Sequence, residues 1–456
     1  MAKVLWVCFD FPPRQSSAVY RPIRIYKYID KSAYKIDFLT QNPKLGFARG
    51  ISDETLLSEV EPPPTIYRVS NLVLHDWIFE RLRRARRGKR QGDETRAGGS
   101  AKTTAPAAAA SNPSQSLLSR LYRPFAMTAY FPDQFFTWGW LTALRALRLH
   151  LRERYDIVYT TSYPESGHLA GLVLRLFGVR WVADYRYGGI LWVKRLLHYR
   201  KGKLREWLEV QYQKLVVRSA HRVVTQSDTI RREFVRVFGA DPRRLTTIPS
   251  AYDETDFATN GQPSPFQKRD GEIHLVHTGR AYLAAPDQTT FAKELDVLGQ
   301  ELAERGLELV VHALGDDMLV PSARHDVTGF RYVYHGVVPH PELPAYLKAA
   351  DWYLLSTITT VEGDTNTDGY LPSKMWEYLR GGRPILLYGA KDEVWEIVDE
   401  AGAAVYMGPG DGTSGLSADT LLGAIDRLEP IPEKIEQHSW KARSTSMAEI
   451  FDGLST

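Results

Sequence analysis

The chain has 456 residues, of which 58 are Lys or Arg and 54 are Asp or Glu, and its formal net charge is +4. With 43% hydrophobic and 25% charged residues, its composition excludes a fibrous or largely disordered protein. At roughly 150 residues per domain, the length predicts two to three domains. The single cysteine, Cys8, excludes an internal disulfide and a multi-cysteine zinc site, and it is typical of a reducing compartment.

The positive charge is concentrated in one segment. Residues 81–96 contain eight Arg or Lys and two acids, so this segment carries +6 and the rest of the chain −2. A nucleic acid would have to bind this segment alone, and we expect no nucleic-acid partner. We expect no signal peptide, and no stretch reaches the roughly 18 apolar residues of a membrane-spanning helix. A cytoplasmic protein is predicted.

Short β-rich runs alternate with longer amphipathic runs, the pattern of a parallel sheet built from βαβ units. The first predicted strands are Lys3–Phe9, Tyr34–Thr40, Thr65–Val69, Asp156–Thr161, Trp181–Asp184, Arg222–Gln226 and Leu245–Ile248. The helices predicted among them are Ala18–Ile29, Leu141–Arg154, His168–Phe177 and Leu204–Ser219. An aromatic run at 130–140 is predicted to be mostly core, with one or two rings left to stack on a sugar.

A polar stretch at 256–271, rich in Pro and Gly, predicts an interdomain linker, and the alternation then restarts. The second group of predicted strands is Glu272–Thr278, Leu307–Leu314, Tyr332–His335, Trp352–Ser356, Pro384–Tyr388 and Ala403–Met407. We therefore predict an α/β protein of two doubly wound parallel-sheet domains, 1–255 and 272–438. Residues 91–116 hold hardly an apolar side chain larger than alanine and predict a disordered insertion.

Several motifs resemble glycosyltransferase family 4. A strand that ends at Pro12-Pro13 and leads through Ser16-Ser17 into a helix is similar to the start of the family's N-terminal domain. The segments 277–280 (HTGR), 335–337 (HGV) and 370–384 (YLPSKMWEYLRGGRP) resemble its donor-binding domain. The resemblance implies the GT-B fold, with two Rossmann-like domains facing a central cleft and a last helix, 439–456, returning to the first domain.

The segment around Lys374 carries the chemistry expected of a donor site. Leu371 and Ser373 precede a helix whose free N–H groups favour an anion such as a diphosphate. Lys374 falls in the first turn, where a cation is disfavoured unless an anion binds in front of it. The resemblance implies that Glu377 accepts hydrogen bonds from the donor ribose. The alternative is an ordinary surface Lys–Glu pair.

Two positions depart from the family pattern. The family usually has a glutamate eight residues before Glu377, where this chain has Gly369. Glu362, Asp364 or Asp368 can replace that glutamate, or the backbone amides of Gly369 and Tyr370 can bind the donor. The lysine that often follows Arg280 by five residues is Ala285.

The resemblance implies further site residues. Arg280 would neutralise the leaving diphosphate, Gly336 would lie near the base, and the hydroxyls of Ser16 and Ser17 would donate to phosphate. His168 would contact the donor sugar or the acceptor hydroxyl; a lone histidine is as often a helix-capping or core residue.

Asp184 and Arg186 lie at the carboxyl end of a strand, where open α/β sheets bind ligands. Asp184 can orient an acceptor hydroxyl, or it can pair with Arg186. Residues 364–369 begin like a calcium loop, but Met375 occupies the position that requires glutamate. We expect neither a metal nor another cofactor.

The segment 71–90 joins an apolar helical pattern that includes Trp77 to seven Arg or Lys, a combination found at anionic membrane surfaces. The alternative is an ordinary amphipathic helix with a solvated tail. Peripheral attachment to the inner face of the membrane is therefore predicted as one of two outcomes.

The resemblance implies a retaining transfer of a sugar from a nucleotide-diphosphate sugar to a carbohydrate or lipid-linked acceptor, in cell-surface polysaccharide synthesis. We expect the reaction to be metal-independent. The alternatives are a catalytically silent GT-B protein that binds nucleotide sugars or serves as a scaffold, and an epimerase of the same fold. Gly369 and Ala285 favour the silent protein.

Overall fold

The computed structural model describes most of the chain. The described residues are 1–14, 16–43, 55–70, 131–189, 203–258, 263–279, 285–315, 317–318, 328–357, 369–389, 391–408 and 417–455. Several sequence predictions lie outside them: the basic segment 71–90, the insertion 91–116, Arg280, Glu362, Asp364 and Asp368.

The described strands form two parallel sheets. The first has the order β3-β2-β1-β4-β5-β6-β7. Its strands are β1 (Ala2–Val7), β2 (Tyr34–Gln41), β3 (Thr65–Val69), β4 (Ile157–Ser162), β5 (Arg180–Tyr185), β6 (Arg222–Thr225) and β7 (Leu245–Thr247). β1 pairs in parallel with β2 on one side and with β4 on the other, which places it where the strand order reverses.

The second sheet has the order β10-β9-β8-β11-β12-β13. Its strands are β8 (Glu272–Gly279), β9 (Glu308–Gly315), β10 (Phe330–Gly336), β11 (Trp352–Ser356), β12 (Ile385–Tyr388) and β13 (Ala404–Gly408). This order is that of a doubly wound Rossmann-like sheet, with the switch point between β8 and β11.

The described α-helices lie between these strands and after the last one. They are α1 (Tyr20–Tyr28), α2 (Thr55–Ser58), α3 (Phe136–Glu153), α4 (His168–Leu176), α5 (Lys203–Ser219), α6 (Asp228–Phe238) and α7 (Ala285–Ala303). Those that follow are α8 (Leu343–Ala349), α9 (Lys374–Gly381), α10 (Glu393–Glu400), α11 (Ala418–Ile425), α12 (Pro432–Glu436) and α13 (Trp440–Ser455).

The second sheet is covered on both faces, as its strand sequences require. Along β11, Leu354 packs against one apolar cluster with Leu295 of α7, whereas Tyr353 packs against another with Met375 of α9. Side chains of a strand alternate between the two faces, so a strand that is apolar at every position is buried on both. The predicted α/β architecture of two parallel sheets is confirmed.

Chain contacts divide the protein into two compact units. The first comprises Met1–Val19, Ser32–Asp184 and Tyr199–His221. The second comprises Tyr20–Lys31, Tyr185–His198 and Arg222–Thr456. The sequence-based boundaries at 255 and 272, and the return of the last helix, stay predictions. Over the residues described, no helix combines the length and apolar character that crossing a bilayer requires.

Candidate functional site

Lys374 reaches back from α9 to the carboxyl end of β8. Its Nζ lies 2.8 Å from the carbonyl oxygen of Thr278 and 3.1 Å from Nε2 of His277, and the residue is buried. The hydroxyl of Tyr378, one turn further along α9, accepts a hydrogen bond from the backbone N–H of Thr278 at 2.8 Å. These contacts fix the start of α9 at the edge of the sheet where parallel α/β domains bind ligands.

Glu377 lies in the first turn of α9 and pairs with a histidine. Its Oε1 is 3.1 Å from Nε2 of His340, in the turn that follows β10. Burial opposes the charge of His340, but the hydrogen bond and the negative charge of Glu377 outweigh burial and raise the pKa of His340. His340 also packs on the ring of Tyr20, with 5.0 Å between centroids. Glu377 and His340 line a small hollow together with Asp256 and Leu343.

Gly369 occupies a position that no other residue fits well. Its φ is +97°, and a Cβ there would stand 2.9 Å from Oγ of Ser227 and 3.2 Å from side-chain carbons of Thr229 and Ile230. A positive φ strains any residue that has a Cβ. The backbone conformation at Gly369 and its close packing against the start of α6 therefore both disfavour a glutamate at this position.

Tyr370 and Leu371 continue this loop toward α9. The carbonyl oxygen of Leu371 accepts a hydrogen bond from Nε2 of Gln226 at 3.2 Å, and Leu371 is buried. Ser373 occupies the N-cap position of α9 without a side-chain capping bond and is exposed. The loop is therefore held at its middle, while Ser373 remains accessible.

A carboxylate from α10 holds the start of α6. The two oxygens of Glu393 accept hydrogen bonds from the backbone N–H groups of Asp228 and Thr229 at 2.7 and 2.8 Å. Oγ of Ser227 accepts from the N–H of Ile230 at 3.2 Å. Sequence reasoning missed Gln226 and Glu393, since nothing in the sequence pairs residues so far apart.

Gly336 ends β10 with φ +67°, and the structure places nothing described within 4 Å of where its Cβ would be. A positive φ and open space are both compatible with a backbone approached by a ligand. Ser16 lies in the turn after β1, and its Oγ accepts from the N–H of Ala18 at 3.0 Å, which leaves the hydroxyl proton for another partner. Ser17 is exposed.

His168 is fully buried at the start of α4. Its Nδ1 is 2.8 Å from Oγ1 of Thr160, which also accepts from Nε1 of Trp181 at 2.8 Å. Burial lowers the pKa of His168 to about 3, so the ring is neutral at physiological pH. Asp184 lies at the carboxyl end of β5, also fully buried. Arg186 follows it and is 9% exposed.

Glu165 is a titratable group to which the sequence analysis assigned no role. It lies in the turn between β4 and α4 and is 5% exposed. Burial, followed by the negative charges of Asp133 and Glu209, raises its pKa to about 8. A glutamate directly after a proline at the carboxyl end of a strand was the available signal.

Residues 82–251 match the family model described as Glycosyl transferase 4-like domain. One curated relative, D-inositol 3-phosphate glycosyltransferase 2 of Catenulispora acidiphila, is 24% identical over 252 residues, which span 52% of this chain and 57% of that relative.

Solved structures share the fold of this chain. Sucrose-phosphate synthase from Thermosynechococcus elongatus has a TM-score of 0.57 at 14% identity, with 100% of this chain and 99% of that one covered. A glycosyltransferase from Rickettsia africae has 0.56 at 11%, with the same coverage. Anabaena HepE in complex with UDP has 0.52 at 12%, covering 99% and 100%. The predicted family resemblance and GT-B fold are confirmed.

The site residues predicted from the sequence stay predictions. In the second unit the structure brings Lys374 to the end of β8 and Glu377 to His340, whereas Arg280 lies outside the described residues. Within the described ranges no group of three or more His, Cys, Asp or Glu side chains is arranged to hold a metal ion. The metal independence of the reaction also stays a prediction.

Proposed function

We propose that the protein is a glycosyltransferase that moves a sugar from a nucleotide-diphosphate sugar to a carbohydrate or lipid-linked acceptor. The observation that carries the proposal is the position of Lys374 and Glu377 in the first turn of α9, at the carboxyl edge of the second parallel sheet. Open α/β sheets bind ligands at this edge. The glycosyl transferase 4-like domain supports the same activity.

The donor groups have complementary partners in this proposal. The diphosphate binds in front of α9, where Lys374 and the first N–H groups of the helix carry positive charge, and Arg280 would supply a further cation. Glu377 accepts hydrogen bonds from the ribose hydroxyls, and His340 holds one of its oxygens so that the other is directed to the ribose. Gly336, Gly369 and Tyr370 offer backbone groups, and Ser373 an exposed hydroxyl.

Transfer breaks the bond between the anomeric carbon and the diphosphate oxygen and forms a bond from that carbon to the acceptor oxygen. The acceptor proton passes to the leaving phosphate oxygen, so the step requires no oxidant and no covalent nucleophile. Negative charge grows on the leaving group in the transition state, where fixed cations stabilise it most. Retention of configuration through front-face displacement belongs to this proposal.

The acceptor half of the proposal rests on the first unit. Asp184 orients the acceptor hydroxyl from the carboxyl end of β5, and Ser16 and Ser17 donate to phosphate from the turn after β1. His168 would contact the donor sugar or the acceptor hydroxyl as a neutral ring, because its lowered pKa leaves it unprotonated above about pH 3. The curated relative's name points to a hydroxylated, phosphorylated acceptor as the first compound to assay.

The donor site is tested by calorimetry. UDP, the nucleotide in the HepE structure, is titrated first, followed by GDP and ADP. We expect Lys374→Met, which keeps the side-chain volume, to weaken binding about tenfold, or about 1.4 kcal/mol. The matched control is Lys293→Met, on the exposed side of α7, which should bind like the wild type. Unchanged binding by a folded Lys374→Met variant would show that the donor site lies elsewhere.

One observation favours the silent protein as a second candidate. Because Gly369 has a positive φ and no room for a Cβ, the family's carboxylate cannot simply be restored there. A silent protein would bind the nucleotide sugar but release no nucleotide when a panel of donors and acceptors is added without metal. An epimerase would convert the donor with no acceptor present. Transfer to an acceptor supports the transferase over both.

The cellular setting belongs to the same proposal. A cytoplasmic enzyme of cell-surface polysaccharide synthesis would meet its lipid-linked acceptor at the inner face of the membrane. The basic segment 71–90 would attach it there. Flotation with anionic liposomes tests the segment: if replacing its seven Arg and Lys residues at 81–90 leaves binding unchanged, the segment has no such role.

A further inference from the structure

Helix α3 in the first unit is apolar on its outer side as well as on its inner side. Trp140, Leu144 and Leu151 are each about half exposed, and their spacing places them on one side of the helix. The opposite side buries Trp138 and Ala146 completely. A surface helix normally has a polar outer side, so this one has an apolar stripe that is exposed within the described part of the chain.

Helix α5 of the same unit repeats the arrangement. Its exposed apolar side chains are Leu204 at 68%, Trp207 at 57%, Leu208 at 37% and Leu215 at 52%. The opposite side buries the core residues Tyr212, Val216 and Val217. Two half-exposed tryptophans on surface helices of one unit are unfavourable for an isolated protein, because exposed aromatic area favours association.

Helix α4 joins the two stripes into one surface. It packs against both α3 and α5 and ends in Leu176, which is 84% exposed, and Phe177, which is 52% exposed. Leu172 and Val173 on its outer side are half-buried. We name the outer helical face as the exposed apolar side chains of these three helices: Trp140, Leu144, Leu151, Leu176, Phe177, Leu204, Trp207, Leu208 and Leu215.

The charges on the same helices are mostly positive. Five basic side chains are exposed on α3 and α5: Arg145, Arg148, Arg152, Lys203 and Arg218. The acidic residues with partly exposed side chains on these helices are Glu153, which pairs with Arg152 at 3.3 Å, and Glu206. The outer helical face is therefore apolar in its middle and bordered by positive charge.

We propose that the outer helical face docks on the surface of an anionic lipid bilayer. Tryptophan and leucine beside arginine and lysine form the combination that inserts to the depth of the lipid headgroups, with the cations on the phosphates. A second copy of the chain is the less suitable occupant, because facing copies would bring their arginines together. The inference rests on neither the proposed transferase activity nor the segment 71–90.

The binding geometry follows from the helices themselves. α3 and α5 lie along the membrane plane and do not cross it, since both have a buried inner side that belongs to the core of the unit. Apolar insertion makes the interaction sensitive to Trp140 and Trp207. The arginines make it sensitive to salt and to the anionic lipid fraction.

The test uses the full chain and vesicles of phosphatidylcholine, with or without about 30% phosphatidylglycerol, an anionic fraction in the range where surface charge attracts basic residues. We expect flotation with the anionic vesicles and little with the neutral ones. The double variants Trp140→Gln/Leu144→Gln and Trp207→Gln/Leu208→Gln should each lower the partition coefficient about tenfold or more. Arg145→Gln/Arg148→Gln should lower it about tenfold or more at low salt, at about fivefold per cation.

Val297→Gln is the matched control, since Val297 is 50% exposed on a helix of the second unit, and it should float like the wild type. Glutamine preserves helix propensity, and circular dichroism checks that each variant is folded. A variant with the basic residues of 81–90 replaced separates the two membrane hypotheses, because this proposal expects it to retain the sensitivity to Trp140 and Trp207.

Three results would overturn the proposal. The first is wild-type protein that does not float with anionic vesicles. The second is flotation that the apolar double variants leave unchanged. The third is a dimer in light scattering that both double variants convert to monomer while flotation stays the same, which would assign the outer helical face to a second copy of the chain.

Discussion

At the scale of single residues, backbone geometry decides what the donor-side loop can contain. Gly369 is the position where the sequence lacks the family's glutamate, and the structure gives it φ +97° against the start of α6. Any contribution of this position to donor binding must therefore come from its backbone. Glycine is required here because the φ angle is positive and a Cβ would stand too close to Ser227.

Replacing Gly369 tests this reason. We expect Gly369→Ala to lower the free energy of unfolding by about 2–3 kcal/mol, since it combines backbone strain with a clash against Ser227. Gly382→Ala is the control, because Gly382 has φ +67° and an open Cβ position with respect to the described residues. It should cost only about 1 kcal/mol, the strain alone. Equal losses in denaturant titrations would contradict the close approach at Gly369.

Glu165 makes a pH-dependent contribution. Its pKa is raised in the folded state to about 8, so its contribution to stability is full below the ordinary glutamate pKa and is lost as the pH rises through 8. Glu165→Gln should therefore be more stable than the wild type by about 1–3 kcal/mol at pH 8, and the difference should shrink toward pH 5. Thermal unfolding at both pH values measures this. A difference that does not change with pH would show that Glu165 is not the titrating group.

At the scale of elements, a carboxylate that is distant in sequence caps the N-terminus of helix α6. Glu393 of α10 accepts from two N–H groups that a helix start leaves without an intrahelical partner. The charge also suits the positive end of the helix dipole. The contact therefore ties α10 and the loop at Gly369 to the same helix start.

Glu393→Gln removes the charge and at least one of the two acceptors. We expect a loss of about 1–2 kcal/mol in the free energy of unfolding, the usual contribution of a capping carboxylate. Glu396→Gln, one turn later on the exposed side of α10, should change stability by less than about 0.5 kcal/mol. Similar effects of the two variants in urea titrations would mean that the cap contributes nothing.

Three neighbouring strands of the second sheet are joined by a chain of histidines. His274 Nδ1 lies 2.9 Å from His312 Nε2, and His312 Nδ1 lies 2.8 Å from His335 Nε2. His274 Nε2 is 3.2 Å from a carboxylate oxygen of Glu272, and Phe266 stacks on His274 and His312. Each neutral ring can donate one hydrogen bond and accept one. A second proton on any ring would replace an acceptor with a donor.

At the scale of the whole molecule, buried neutral histidines predict sensitivity to acid. Burial lowers the pKa of His312, His168 and His438 to about 3 in each case, with nearby positive charge or histidines adding to the effect at His312 and His438. A histidine whose pKa is lowered on folding stabilises the protein above its ordinary pKa of about 6.5. That stability is lost as the pH falls from 6.5 toward 3.

We therefore expect the apparent melting temperature to fall by about 5–10 °C between pH 7.5 and pH 5. Replacing His312 with Gln, which keeps one donor and one acceptor but does not titrate, should reduce the fall. Differential scanning fluorimetry over this pH range measures both proteins. A melting temperature of the wild type that stays constant down to pH 5 would contradict the neutral state of these rings.

The sequence by itself determined the alternation of strands and helices. All thirteen predicted strands are present among the described residues, with ends shifted by at most two residues. Periodicity suffices here because a strand buried on both faces must be apolar throughout, and a helix on such a sheet must be apolar on its inner side. The sequence also placed Lys374 and Glu377 on the same side of one helix, because residues three apart are neighbours on a helix surface.

Only the tertiary structure decided which distant groups meet. The pairing of Glu377 with His340, the cap from Glu393 on α6 and the chain from His274 to His335 join residues far apart in sequence. The exposure of the apolar sides of α3 and α5 was also visible only in the tertiary structure, because sequence patterns assign apolar residues to the core by default. The order of apolar and polar residues along the chain determines which elements form, whereas packing determines which of their side chains stay exposed.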